Sequence, residues 1–303
     1  MVVSTPAGGG GRTGLAWLVC AVLLFSTIEV VSKAIQPARP PLQLAFWRFF
    51  LAGLAFSPGA AMAMHRRARR PTAADWGAYG GLGLIGVTLG IGLYHAALAR
   101  MPAAPAAILF SGHPVIVAVL APALIGERAD RRHWLALALA SAGMVCFSWD
   151  HGRLSLRTAG GVVLMLASMT AFAIYSTLSK KVVDRHGVRV LSAATFLAGS
   201  LALLPVTWTA DGPPWRVHTP HHWLAILYLA LLATATGYAA WFHGLKQVPA
   251  VRAATVFFLK PVAAAALARL LLGERLTPAT VAGGLMIVAG TAVALRRGPV
   301  EPP

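Results

Sequence analysis

Four ionisable residues lie inside stretches of otherwise apolar sequence: Glu29, Arg48, His113 and Lys260. A charge is costly in such surroundings, so each is a candidate for work on a solute or a proton. Glu29 recurs with Ser26, Ser32 and Lys33 at helical spacing, which makes one polar stripe on an apolar helix. A buried carboxylate can take up and release a proton, and it can meet a substrate amine. The plainer use of Glu29 is a local ion pair with Lys33, four residues on in the favourable order. Arg48 falls at a similar depth in the next apolar run. Its guanidinium matches the carboxylate of a solute or of Glu29, and it equally suits a fixed structural salt bridge or a snorkelling position. His113 and Lys260 each stand directly before a proline, Pro114 and Pro261. Both are roughly ten residues into their runs, about 15 Å of helical rise, which places them near the middle of a bilayer. A proline there frees a backbone carbonyl and bends the helix, so both are read as hinges. His113 suits a packing role as well as a polar one, whereas a mid-membrane Lys260 calls for a carboxylate partner or an anionic solute. Tyr94, Tyr175 and Trp241, with Trp47 and Tyr238, fall in the same set of runs and offer rings for stacking, although most helical aromatics simply pack.

The elements that must position these residues follow from composition. The chain has 303 residues, of which 57% are hydrophobic and 12% charged, with a mean hydropathy of +0.69. A soluble domain carries about twice that charged fraction, so the bilayer is the solvent that suits this chain. Apolar runs long enough to cross it fall near 14–35, 42–64, 76–98, 103–125 and 131–149, then near 158–179, 190–210, 222–245, 250–272 and 279–295. The net charge of +17 would suit nucleic acid. The basic residues sit instead in short clusters between the runs, the pattern of loops that flank membrane helices, and no nucleic-acid partner is expected. Arg66, Arg67, Arg69, Arg70, Arg128, Arg131, Arg132, Lys180, Lys181, Arg185 and Arg189 fall on the side of the N-terminus, and fewer basic residues fall on the other. That bias puts both termini in the cytoplasm and the protein, as a multi-pass chain, in the cell (inner) membrane. Residues 1–12 read as a Gly-rich disordered tail. The first run holds Glu29 and Lys33 and shows no convincing cleavage site, so it reads as a helix and not a removable signal. Cys20 and Cys146 both lie in apolar runs and read as packing residues.

The two halves repeat. At a constant offset of 147 residues, Ser32-Lys33 falls on Ser179-Lys180, Pro58 on Pro205, Trp76 on Trp223, Gly90 on Gly237, Pro102 on Pro249, Pro114 on Pro261 and Gly143 on Gly290. Gly126-Glu127-Arg128 falls on Gly273-Glu274-Arg275 at the same offset. The units are 13–150 and 158–297. Five spans is an odd number, so the second unit enters the membrane from the opposite side. The expected fold is all-α: ten transmembrane helices as two inverted five-helix repeats, a recurrent design of secondary transporters.

The segments HPVIVAVLAPALIGERA and KPVAAAALARLLLGERL resemble the signature region of the EamA family of the drug/metabolite transporter superfamily. The segments LLFSTIEVVSKAI and LAFWRFFLAGLAF resemble the matching first and second helices of that domain. The resemblance covers nearly the whole chain, twice. It implies a central cavity built from the first four helices of each half, with the fifth and tenth helices outside it. The expected activity is secondary transport, export of a small metabolite such as an amino acid, by proton antiport at Glu29. An uncoupled facilitator or importer and an intramembrane lipid-acting enzyme are the rival readings. His151 beside Asp150 is too little for the enzyme, and no Walker loop, nucleophile elbow or metal-ligand cluster is present in the sequence. No cofactor and no metal are expected. The partners are a small-molecule substrate and the lipid bilayer, with a homodimer left open. Glu127-Arg128 and Glu274-Arg275, at helix ends, suit local pairing, capping or stabilisation of a gate.

Overall fold

The structure, a computed structural model, describes residues 10–35, 40–66, 71–98, 100, 109–148, 159–215, 220–272 and 277–295. Among these residues it is all-helical. The helices are α1 (Gly10–Ile35), α2 (Pro41–His65), α3 (Ala73–Gly83), α4 (Gly92–Leu98), α5 (His113–Ile125), α6 (Arg131–Ser148), α7 (Ala159–Asp211), α8 (Pro220–Leu227), α9 (Gly237–Leu245), α10 (Ala250–Thr255), α11 (Leu259–Leu272) and α12 (Pro278–Leu295). Two π-helical segments, Leu84–Ile91 and Tyr228–Thr236, join α3 to α4 and α8 to α9 without a break, and a 3₁₀ turn, Val256–Phe258, joins α10 to α11. Six of the described helical stretches are long and apolar enough to cross a membrane. Leu135, Leu224, Leu270 and Leu285 point outward from this bundle, which water would penalise and lipid accepts.

Local chemistry sets the helix ends. Thr72 and Asp75 form a reciprocal capping box at the start of α3. Asp130 accepts the His133 N–H at the start of α6. α2 begins at a proline pair that supplies no side-chain cap, and the cap comes from far along the chain: Asp211 Oδ2 accepts the Leu42 N–H at 2.7 Å. Beside it Trp47 Nε1 donates to the Pro214 carbonyl at 2.8 Å. α7 spans 53 residues, about 80 Å at 1.5 Å per residue and far beyond one bilayer. Gly187, at φ 80 and ψ 167, breaks it into stretches 159–186 and 188–211 that fold back on each other. Only glycine takes that backbone conformation without strain.

Hydrophobic burial does not draw helices together in lipid, so close packing must. α6 lies on α12 through glycines that face backbone. A Cβ at Gly143 would stand 2.8 Å from the Gly283 carbonyl oxygen and 2.9 Å from the Ile287 nitrogen, and one at Gly290 would stand 2.8 Å from both the Ala136 oxygen and the Ala140 nitrogen. Each contact is the other shifted by 147 residues with its partners exchanged. The same exchange links Gly237, which admits the ring of Phe25, to Gly90, which admits the backbone of Phe172. Phe49 and Phe196, themselves 147 apart, meet edge to face at 5.1 Å.

Gly143→Ala and Gly290→Ala should each force α6 and α12 apart and cost about 1–3 kcal/mol. A lower melting midpoint in detergent checks this, against Gly160→Ala, whose added methyl meets nothing within 4 Å.

Candidate functional site

An open cavity, about 450 Å³ with the solvent at its mouth included, lies where the two halves meet. The first half contributes Phe25 and Ile28 from α1, Arg48 from α2, Ile91 from the first π segment, Tyr94 from α4, and Phe110 just before α5. The second half contributes Phe172, Tyr238, Phe257 and Lys260. Three pairs among these share the repeat offset: Phe25 with Phe172, Ile91 with Tyr238, and Phe110 with Phe257. The ring contacts repeat as well. Phe25 packs on Phe257 at 5.7 Å and Phe172 on Phe110 at 5.4 Å. Tyr94 meets Phe110 at 5.1 Å and Trp241 meets Phe257 at 4.9 Å, both edge to face. Such geometry suits the ring quadrupoles and fixes the wall.

The π segments bring Ile91 and Tyr238 onto this wall. A π turn inserts one residue and rotates the helix beyond it; within the second segment the Thr236 hydroxyl also donates to the Leu231 carbonyl at 3.0 Å. Regular α-helix is interrupted at nearly equivalent places ahead of α5 and α11, by a turn at Ser111-Gly112 and by the 3₁₀ turn Val256–Phe258. Pro114 and Pro261 therefore occupy first turns, where a missing N–H costs little. Irregular backbone of this kind belongs beside a cavity in a membrane protein.

The charges do not obey the symmetry. Arg48 is 5% exposed; its Nε donates to Thr234 Oγ1 at 3.2 Å, and its Cζ lies 5.5 Å from the Phe49 ring centre. The equivalent of Arg48 is Thr195. Lys260 is 8% exposed, with Nζ 5.9 Å from the Phe110 ring centre, and its equivalent is His113. Two cations thus face one aromatic chamber. They can hold a carboxylate by charge-assisted hydrogen bonds while the rings take the apolar remainder.

Of the residues singled out in the sequence, Arg48, Tyr94 and Lys260 line the cavity. Ser26 lies beneath it, fully buried, and donates to the Val22 carbonyl at 2.7 Å and the Lys260 carbonyl at 3.2 Å, so it fastens α1 to α11. His113 stands behind the wall, its ring edge-on to Phe257 at 4.5 Å. Trp241 and Tyr175 also stand behind it; Tyr175 touches Phe172 at 6.1 Å and Phe242 at 6.2 Å. Glu29 is on α1, but its side chain is outside the described residues. Phe25, Phe110, Phe172 and Phe257 were not foreseen. Both pairs lie at the 147-residue offset, and that signal was present in the sequence. Cys20 is exposed and Cys146 half-buried, both free thiols.

At one end of the bundle the halves are tied. The Glu127 carboxylate, past the C-terminus of α5, pairs with Lys180 on α7 and accepts the Ala250 N–H at the start of α10. Lys180 also donates to the Val248 carbonyl at 2.9 Å, and Lys181 to the Leu124 carbonyl at 2.6 Å. For the glutamate the sequence suggested local pairing, capping or stabilisation of a gate; its contacts are long-range, across the junction of the halves. Its counterpart, Gly273-Glu274-Arg275, lies outside the described residues.

A family model described as the EamA-like transporter family matches residues 12–149 and again residues 159–296. The chain is 24% identical over 288 residues to a protein of Clostridium kluyveri named "Uncharacterized transporter", covering 93% of each chain. It is 27% identical over 293 residues to a protein of Salmonella typhimurium named "Probable amino-acid metabolite efflux pump", covering 91% of this chain and 92% of that one. A solved crystal structure shares the fold, with a TM-score of 0.78 at 20% identity over 94% of this chain and 96% of the other.

Glu127→Gln should weaken the clasp, with loss of the charge costing about 1–3 kcal/mol. Spin labels at the exposed Ala123 and His243 should then report a broader and longer distance distribution by pulsed electron resonance; an unaltered one would show that the clasp bears no weight.

Proposed function

This chain belongs to the EamA-like transporter family, a family of transporters and not of enzymes, and from that premise we propose that it is a secondary exporter of a small carboxylate-bearing metabolite such as an amino acid. The chamber of paired aromatic residues that both halves build, with Arg48 and Lys260 on its wall, carries the reading. Two cations at that depth are expensive unless an anionic group visits them or a neighbour compensates them, and the cavity gives a carboxylate access to both.

In this reading the chain crosses the membrane ten times as two inverted five-helix units. The reciprocal contacts support it: exchange of partners under one offset is what a two-fold operation produces, and an odd number of spans per unit puts that axis in the membrane plane. Each half then offers the other's conformation as an alternative, and access to the chamber alternates. The basic end that carries Lys180, Lys181 and Arg185 is cytoplasmic, and the Glu127–Lys180 clasp closes that side. Proton antiport runs through Glu29, which shares the polar stripe of α1 with Ser26. An amino-acid substrate is favoured by the named activity of the Salmonella relative.

Counterflow of candidate amino and organic acids into proteoliposomes, with and without an imposed pH gradient, tests this. Lys260→Ala should weaken apparent affinity for carboxylate solutes about 10–100-fold, as loss of a charged hydrogen bond would, and Lys260→Arg should recover part of it. Equal affinity in wild type and Lys260→Ala removes that residue from the site. Flux indifferent to the gradient, and equal in Glu29→Gln, replaces the antiporter with an uncoupled facilitator.

A further inference from the structure

One polar group on the chamber wall serves neither packing nor the clasp: the hydroxyl of Tyr238. Tyr238 is 5% exposed, and its ring is locked edge to face against Phe25 at 5.1 Å, Phe49 at 5.9 Å and Phe196 at 5.0 Å. A ring held on several sides aims the hydroxyl that it carries. No described residue hydrogen-bonds this hydroxyl, and its oxygen keeps some open surface, whereas the oxygens of Tyr79 and Tyr175 are sealed in. Tyr238 lines the cavity, so that open side is the chamber.

The hydroxyl has a charged neighbour. Arg48 and the Tyr238 phenol are close enough to interact, and Thr234, which accepts the Arg48 Nε–H at 3.2 Å, precedes Tyr238 by one turn of the same helical stretch. The equivalents of Arg48, Thr234 and Tyr238 in the other half are Thr195, Val87 and Ile91. Ile91 lines the chamber too, so this place on the wall packs with an apolar side chain, and the cation and the phenol depart from the repeat together. A nearly buried hydroxyl without a partner is costly, which points to a ligand that completes it. Arg48 and Lys260 donate hydrogen bonds and cannot accept them. Among the described side chains that line the chamber, only the phenols of Tyr94 and Tyr238 can accept from a solute hydroxyl or amine, and that of Tyr238 lies beside Arg48.

We propose that Tyr238 is a specificity-determining residue: with the solute's carboxylate on Arg48, its hydroxyl accepts a hydrogen bond from a hydroxyl or amine on the adjacent carbon. This rests on the transporter reading and narrows its solutes to 2-hydroxy and 2-amino acids with an apolar side chain, which the surrounding rings receive. A carboxylate and its 2-substituent are one carbon apart, so two neighbouring groups on the wall read both at once. A plain carboxylic acid of the same shape leaves the phenol unpaired in an apolar space. A site built around a hydrogen-bonding group rejects the analogue that lacks it.

Calorimetric titration of the purified, full-length protein with three acids of one shape tests this: 2-hydroxy-4-methylpentanoate, leucine and 4-methylpentanoate. Wild type should bind the first two about 10–100-fold more tightly than the third, and in Tyr238→Phe, which keeps the ring, that preference should fall to about threefold or less. A preference shown for only one of the two, and lost in the variant, upholds the proposal and assigns the group that Tyr238 reads. An undiminished preference in Tyr238→Phe, or none in wild type, overturns the proposal and leaves carboxylate binding in place. If wild type binds none of the three, the carboxylate reading falls and the proposal falls with it. The melting midpoint gives a second readout that needs no solute. Loss of an unpartnered hydroxyl should leave Tyr238→Phe melting at or above wild type; a lower midpoint shows that the fold itself uses the hydroxyl, and that too overturns the proposal.

Discussion

In a bilayer the apolar effect that assembles soluble cores is absent between helices, because lipid solvates leucine as well as another helix does. Cohesion therefore depends on how closely backbones approach. In this protein the approach is set by glycines that face carbonyls and amides: Gly143 on Gly283 and Ile287, Gly290 on Ala136 and Ala140, and Gly83 against Thr195 and Gly199. These contacts fix the distance between the halves, and the chamber exists only at that distance. A wider separation would part the rings of Phe25 and Phe257 and of Phe110 and Phe172, and the two cations would face lipid or water instead of a shared wall.

The site combines a symmetric frame with asymmetric chemistry. The aromatic pairs obey the repeat offset, whereas Arg48 answers to Thr195 and Lys260 to His113. Packing is indifferent to direction and duplicates well. Charge is not: a carboxylate bound by one pair of cations needs only that pair, and a second set in the same low-dielectric space would add self-repulsion and desolvation. The basic-end clasp obeys the same logic. Glu127 binds Lys180 and the Ala250 amide across the junction of the halves, where one charged contact does more to hold the arrangement than a local helix pair would.

The charged part of this site is legible in the sequence. Arg48 and Lys260 stood out because a charge in an apolar run has few harmless explanations, and the cavity holds both. The 147-residue offset was visible in glycines and prolines, residues whose backbone roles tolerate few replacements. The phenylalanines are hard to single out because an apolar aromatic in an apolar helix carries no local signal; only the offset separates a wall residue from a lipid-facing one. Pro114 and Pro261 read as mid-helix hinges, and each stands in the first turn of its α-helix, where a proline is cheapest. The partners of Glu127 could not be read either. Sequence distance favours neighbours, and Ala250 is 123 residues away.

Phe49 touches Phe196, the residue that occupies its own position in the other unit. A side chain that meets its counterpart must fit itself. In a half-length ancestor working as a pair of identical chains, every mutation there would strike the junction twice at once, and bulky or charged replacements would be doubly penalised. Within one chain each member of such a pair can change alone. Phe49 and Phe196 match across the junction, whereas Arg48 and its equivalent Thr195 differ, a difference that a pair of identical chains could not have.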